Sequence, residues 1–234
     1  MRSLDEIDAF YEILEELEER LGGKRKLKNC TGKTKWPKRG VYFFFEPEEK
    51  RSEKSELRVV RIGTHALRSN SKTTLWGRLR QHRGYEDYGG NHRGSIFRRH
   101  VGTAIIKKEE LKDQFPHWGV GQSAPRKIRE QEALMENKVS YYIGKLPFLW
   151  LSVEDPAGPE SKRGYFEKNS IALLSNFGRL NSPLAIDPPP PDWLGFYCSN
   201  RNVRLSGLWN HNHVQEERVD PGFLSLFEKT VSRV

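Results

Sequence analysis

Gly40-Val41-Tyr42-Phe43-Phe44-Phe45-Glu46-Pro47 (GVYFFFEP) is an apolar, aromatic run with the residue types that favour a strand. A charged stretch, EPEEKRSEKSE (46–56), separates it from LRVVRIG (57–63), which reads as a second strand. Two strands joined by a polar connection predict a hairpin, here with a long loop. FLWLSV (148–153) is a third strand candidate, suited to the middle of a sheet.

Helices surround these strands in the pattern. Ser3 and Glu6 form an S-x-x-E capping box, and Leu4, Ile7, Tyr11, Leu14, Leu17 and Leu21 follow at helical spacing until Gly22-Gly23. Further helices are expected over Thr73–His82, Ser95–Ile106, Pro125–Lys138 and Ser161–Phe177. Asp220-Pro221 opens a last one, with Phe223, Leu224, Phe227 and Val231 on one face. DPPPPDW (187–193) is a rigid break before it. The expected fold is α+β: a small, mainly antiparallel three-stranded sheet flanked by helices, with an N-terminal helix and a C-terminal extension. The expected organisation is a helix and basic arm (1–37), a core (38–184) with an insertion near 102–147, and an extension packed on the core (185–234).

Composition narrows the function. The 234 residues carry 40 Lys and Arg against 31 Asp and Glu, a formal net charge of +9, which attracts polyanions and above all nucleic acid. Residues 24–39 hold eight Lys or Arg and no acid, and residues 76–100 hold six Arg against two acids. A run such as 24–39 is either a solvated linker or a phosphate-contacting arm. Lys35, Lys38, Arg39, Arg80, Arg83, Arg93, Arg98 and Arg99 are the expected nucleic-acid contacts, with double-stranded DNA the expected partner. Two isolated cysteines, Cys30 and Cys198, exclude a thiolate zinc site and suit a reducing compartment. MRSLDEIDAF is too polar for a secretory signal, and no apolar run is long enough to span a membrane, so a cytoplasmic protein is expected.

Cleaving a phosphodiester needs a base, a cation on the phosphate and, in most enzymes, a metal at the leaving oxygen. The chain offers such groups in order. Gly40-Val41-Tyr42 ends in a tyrosine on the first strand, and Arg61-Ile62-Gly63 closes the second. Arg78 and His82, four residues apart, share a helical face. Glu167 opens a later helix, and Asn181 follows 14 residues on.

This layout, over roughly residues 38–184, resembles the GIY-YIG nuclease superfamily. The resemblance implies an endonuclease that uses Mg²⁺ or Mn²⁺. It implies Tyr42 as base for the attacking water, Arg78 as phosphate clamp, Glu167 as the single carboxylate ligand of the metal, and His82 and Asn181 as supporting groups. A phenol is a poor base unless a cation stabilises its anion, so Tyr42 needs positive neighbours. The guanidinium fork of Arg78 suits two phosphate oxygens. Mg²⁺ bound through one carboxylate keeps most of its waters.

The chain departs from the family pattern in the second motif, where Arg61 stands for the second tyrosine. Arg61 either clamps phosphate or marks a drifted site. The latter favours the alternative function, a nucleic-acid-binding module of the same fold without turnover. Thr64-His65 follows where many members carry lysine, which makes His65 a supporting candidate. Tyr142-Ile143-Gly144 spells the second motif literally but falls after the arginine helix, and its tyrosine reads as core or turn. His211-Asn212-His213 lacks the partners of a metal site and reads as structural.

Overall fold

The computed structural model describes residues 3–52, 54–87 and 89–234. Residues 1 and 2 of the N-terminal segment, 53 of the polar loop and 88 of the loop at 83–94 lie outside them. Among the described residues the strands are β1 (Arg25–Lys26), β2 (Gly40–Lys50), β3 (Leu57–Gly63) and β4 (Pro147–Ser152). The helices are α1 (Leu4–Leu21), α2 (Leu75–Arg83), α3 (Ile96–Lys108), α4 (Arg126–Gln131), α5 (Ala133–Lys145), α6 (Lys162–Leu174), α7 (Arg201–Ser206) and α8 (Phe223–Val231).

The fold is α+β, as expected, with an antiparallel sheet in the order β1-β4-β2-β3. The hairpin β2–β3 forms, and β4 pairs on the other side of β2. The sheet has four strands rather than three. The extra one, β1, has only two residues, both exposed and basic, so it carries no hydrophobic pattern to read.

Pleating sends alternate residues of β2 to opposite faces. Val41, Phe43 and Phe45 join Ile62, Leu149 and Leu151 under α1, α6 and α8. Phe10 of α1 stacks on Phe227 of α8 at 5.4 Å between ring centres and meets Phe43 edge-on at 6.0 Å. Tyr42 and Phe44 join Val60, Phe148 and Trp150 on the other face, under α2, α3 and α5. Segment 102–147 therefore supplies part of this second helical layer. At the N-terminus, Ser3 and Glu6 make the reciprocal capping box that starts α1, and Gly22, at φ 72°, ends it.

The C-terminal extension closes the β3 edge. The Trp209 N–H donates to Val60 O at 2.7 Å. The Asn210 amide takes the Ile62 N–H at 3.1 Å and donates to Ile62 O at 2.8 Å. Backbone groups that an edge strand would leave open are thus satisfied from within the chain. Trp193, Val203 and Trp209 join the core on the Tyr42 face.

Candidate active site

The site is built at the end of the hairpin where Tyr42 pairs with Gly63. The Tyr42 ring lies across Gly63, and a Cβ at that position would stand 2.2 Å from the phenolic oxygen. This close approach is the physical reason the second motif ends in glycine. The Tyr42 hydroxyl sits 2.8 Å from His82 Nε2, and His82 Nδ1 sits 2.7 Å from Ser95 Oγ. Ser95 also caps α3, accepting from the Arg98 N–H at 3.3 Å. One serine therefore starts a helix and fixes a ring carried by the preceding one.

Tyr42 and His82 are fully buried. Burial, reinforced by the charges of Arg78, Arg61 and Arg98, holds the His82 imidazole well below its ordinary pKa and keeps it neutral. A neutral ring donates from one nitrogen and accepts at the other. Tyr42, His82 and Ser95 thus form a buried hydrogen-bonded chain that fixes the orientation of the phenol and of the ring.

Arg78 projects from α2, half-buried, with Nη1 donating to Gln81 Oε1 at 3.0 Å and directed to Gly94 O at 3.5 Å. It has no carboxylate partner among the described residues. With Thr64, His65, Arg68, Thr73 and Gln81 it lines an open cleft of about 690 Å³. Glu167, in the first turns of α6, is half-buried. Its Oε1 accepts from the Thr64 N–H at 3.2 Å, and Thr64 Oγ1 donates to Gly40 O at 2.8 Å. The residue after the second motif thereby ties α6 to both strands. Burial raises the Glu167 carboxyl pKa, against the lowering influence of Arg61, His213, the Thr64 N–H and Arg78.

His65 is buried at the cleft, and burial together with the neighbouring Arg163 lowers it to about 4. Arg61 is buried beside Tyr42, with Nη1 donating to Trp209 O at 2.8 Å. Tyr42, His82 and Glu167 thus gather at the Gly63 end of β3, and the charges of Arg61 and Arg78 act on both His82 and Glu167.

Asn181 does not join them: it is exposed on a turn beyond α6. The asparagine that braces the motif is Asn210, which holds Ile62 by both backbone groups. It lies beyond residue 184, outside the stretch that carried the resemblance. The ring of His213, in the segment read as structural, also acts on Glu167. Tyr142, on α5, donates its hydroxyl to Glu46 Oε2 at 2.7 Å, away from this turn.

The expected nucleic-acid contacts divide into two groups. Lys35, Lys38, Arg80 and Arg99 are exposed. Arg98 is fully buried, with Nε donating to Glu136 Oε2 at 3.0 Å, Nη1 to His82 O at 3.0 Å and Nη2 to Glu136 O at 2.9 Å. All three of its nitrogens are engaged within the core, which leaves none for a phosphate. Arg93 is likewise spent on Glu132, at 2.6 and 2.9 Å. Arg39 donates to the Asp155 carbonyl. Arg83 donates to Cys30 O at 2.7 Å and covers the Trp76 ring.

The family model described as the GIY-YIG domain matches residues 1–234. The chain belongs to the GIY-YIG family, whose chemistry is that of nucleases and whose members typically use a divalent metal ion. Comparison with curated proteins and with solved structures gave no match. No helix among the described residues is long and apolar enough to cross a membrane.

Proposed function

We propose that the chain is a metal-dependent endonuclease that hydrolyses phosphodiester bonds in DNA. The observation that carries this reading is the gathering of Tyr42, His82 and Glu167 at the Gly63 end of β3, where the charge of Arg78 acts on both His82 and Glu167.

The donor set fits a hard divalent ion held by few protein ligands. No group of three or more His, Cys, Asp or Glu side chains that could cage a metal occurs among the described residues. Glu167 has one oxygen on Thr64 and the second without a protein hydrogen bond. A carboxylate so placed would hold Mg²⁺ or Mn²⁺ while leaving water on the ion. Such an ion, when bound, supplies positive charge at the leaving oxygen. Arg78 holds the scissile phosphate by its free charge and planar fork. Tyr42 takes the proton of the attacking water as its own hydroxyl proton passes to His82 Nε2, and Ser95 holds the ring in place. The exposed Lys35, Lys38, Arg80 and Arg99 hold the flanking backbone.

The complete burial of Tyr42 favours a second reading, a nucleic-acid-binding module that does not cut. Nicking of supercoiled plasmid with Mg²⁺ or Mn²⁺ separates the two, beside EDTA, Glu167→Gln and Arg78→Ala. Metal-dependent nicking lost in both variants is the expected result. Full activity in Glu167→Gln would overturn the metal assignment. Tight, salt-sensitive binding without nicking would establish the binding module.

A further inference from the structure

Among the described residues five arginines are buried: Arg51, Arg58, Arg61, Arg98 and Arg163. Four are neutralised at contact distance. Arg51 meets Asp8 and Asp187, Arg58 meets Glu49, Arg98 meets Glu136 and Arg163 meets Asp155. Arg61 has no such partner among the described residues. Its hydrogen bond goes to a neutral carbonyl, Trp209 O, and its Nε has none. Phe97 presents its ring 5.4 Å from the guanidinium carbon.

Two imidazoles share these surroundings. His100 of α3 and His211 of the C-terminal extension stand 5.3 Å apart, ring centre to ring centre. His100 Nε2 and His211 Nδ1 are both buried without partners. The charge of Arg61 acts on both rings, which supports placing the three side chains together. A buried polar atom without a partner is destabilising, and an unpaired buried cation more so. Three such atoms in one cluster mark a site built for a ligand. The charge of Arg61 makes it a poor place for a cation and a good one for an oxyanion. A surface cavity of about 530 Å³, lined by Asn202, His211, His213 and Gln215 among others, opens onto the His211 side of the cluster. Asn202 Nδ2 fixes the loop by donating to His211 O at 2.7 Å.

We propose that Arg61, His100 and His211 form an anion subsite that takes a second phosphodiester of the strand whose scissile phosphate Arg78 holds. The polyanion's identity rests on the reading under Proposed function; the subsite itself rests on the three orphaned side chains. Arg61, standing where the second motif has tyrosine, then becomes a substrate clamp. The C-terminal extension, through His211, becomes part of the substrate site.

The test uses the full chain in EDTA, so that nothing is cut. Imidazole carbon–proton NMR signals, assigned through His100→Gln and His211→Gln, are followed during titration with inorganic phosphate. Saturable shifts of both rings, lost in Arg61→Met, are expected. Absence of shifts, or the same shifts in Arg61→Met, would overturn the subsite. In a second arm a short DNA duplex is bound. Arg61→Met is expected to weaken binding about tenfold and to lower the salt slope by about one. Should Arg61→Met fail to fold, His211→Gln, in the surface loop, takes its place, with loss of the His100 shift as the readout of the first arm and weaker duplex binding that of the second. Phosphate binding that depends on Arg61, in a chain that never nicks DNA, would uphold the subsite and defeat the nuclease reading. Metal-dependent nicking and duplex binding that are untouched by Arg61→Met would do the reverse.

Discussion

The two faces of the sheet differ sharply, although they come from the same strands. Toward α1, α6 and α8 the strands present Val41, Phe43, Phe45, Ile62, Leu149 and Leu151, an apolar surface. Toward α2, α3 and α5 they present Tyr42, Phe44, Arg61 and Gly63, met by His82, Arg98 and His100. One face holds the molecule together mainly by apolar burial. The other also buries hydroxyls, imidazoles and guanidinium groups, some paired, as Tyr42 with His82, and some not, as Arg61 Nε and His100 Nε2. Stability and chemistry are assigned to successive residues of one strand, and the pleat keeps them apart.

Exchanging neighbours on β2 puts that separation to its hardest test. Phe43→Ala is expected to cost about 3–5 kcal/mol, with nicking per folded molecule retained. Tyr42→Phe keeps the ring and removes only the hydroxyl. It is expected to lower nicking by about 10²–10⁴-fold and, because it leaves His82 Nε2 without its partner, to cost about 1–3 kcal/mol of stability, less than Phe43→Ala. A large stability loss in Tyr42→Phe, or a large activity loss in folded Phe43→Ala, would break the division of labour.

Arg98 sharpens the comparison within the chemical face. Removing one partner of a buried pair leaves the other charge stranded, so Arg98→Met alone is expected to cost about 3–5 kcal/mol. Arg98→Met with Glu136→Gln removes the stranded charge and keeps an acceptor for the His92 N–H, so it should recover much of that loss. Denaturant unfolding of the single and double variants measures both. Arg61→Met strands no contacting carboxylate, so its loss should be clearly smaller than that of Arg98→Met. Equal losses would make Arg61 a structural arginine like Arg98.

The smallest effect concerns Glu46, which accepts the Tyr142 hydroxyl. Burial pushes its carboxyl from the ordinary value of 4.5 up to about 7. Between those two values the folded chain holds more protons than the unfolded one, so stability falls as pH rises through that window. The full penalty applies above about 7. Glu46→Gln keeps an acceptor without the charge, so it should raise the Tm at pH 8 and leave it unchanged at pH 4. A gain of equal size at both pH values would show that the carboxylate charge is not the cause.

Much of the scaffold was legible in the sequence because burial leaves a period. The aromatic run at 40–45, the β-branched run at 57–63 and the capping box at Ser3 each carry a local signal, and each forms the expected element. Tyr42, Arg78, Glu167 and His82 were legible through the order of the motifs. What stayed hidden was pairing across long stretches of chain. Arg98 looked like part of a basic surface because nothing local announces Glu136, 38 residues away. Asn181 drew attention by its spacing, whereas Asn210 braces the motif from beyond the expected core. His211 and His213 gave a visible signal, the His-Asn-His triplet, but only the fold sets them beside Arg61 and Glu167. β1 was invisible because two residues carry no period.

The seam between β3 and Trp209–Asn210 has a consequence for how the molecule comes together. Ile62 and Asn210 are separated by 148 positions, so their contact closes a long loop. Contacts between such distant positions pay their loop-closure entropy before they return any stability, and they tend to form late. The hairpin can zip from local contacts and place Tyr42 over Gly63 early. Asn210 and His211 arrive only when the distal part of the chain has been made and docked. Assembly order alone would then keep a partly folded or partly synthesised chain from presenting a finished site to nucleic acid.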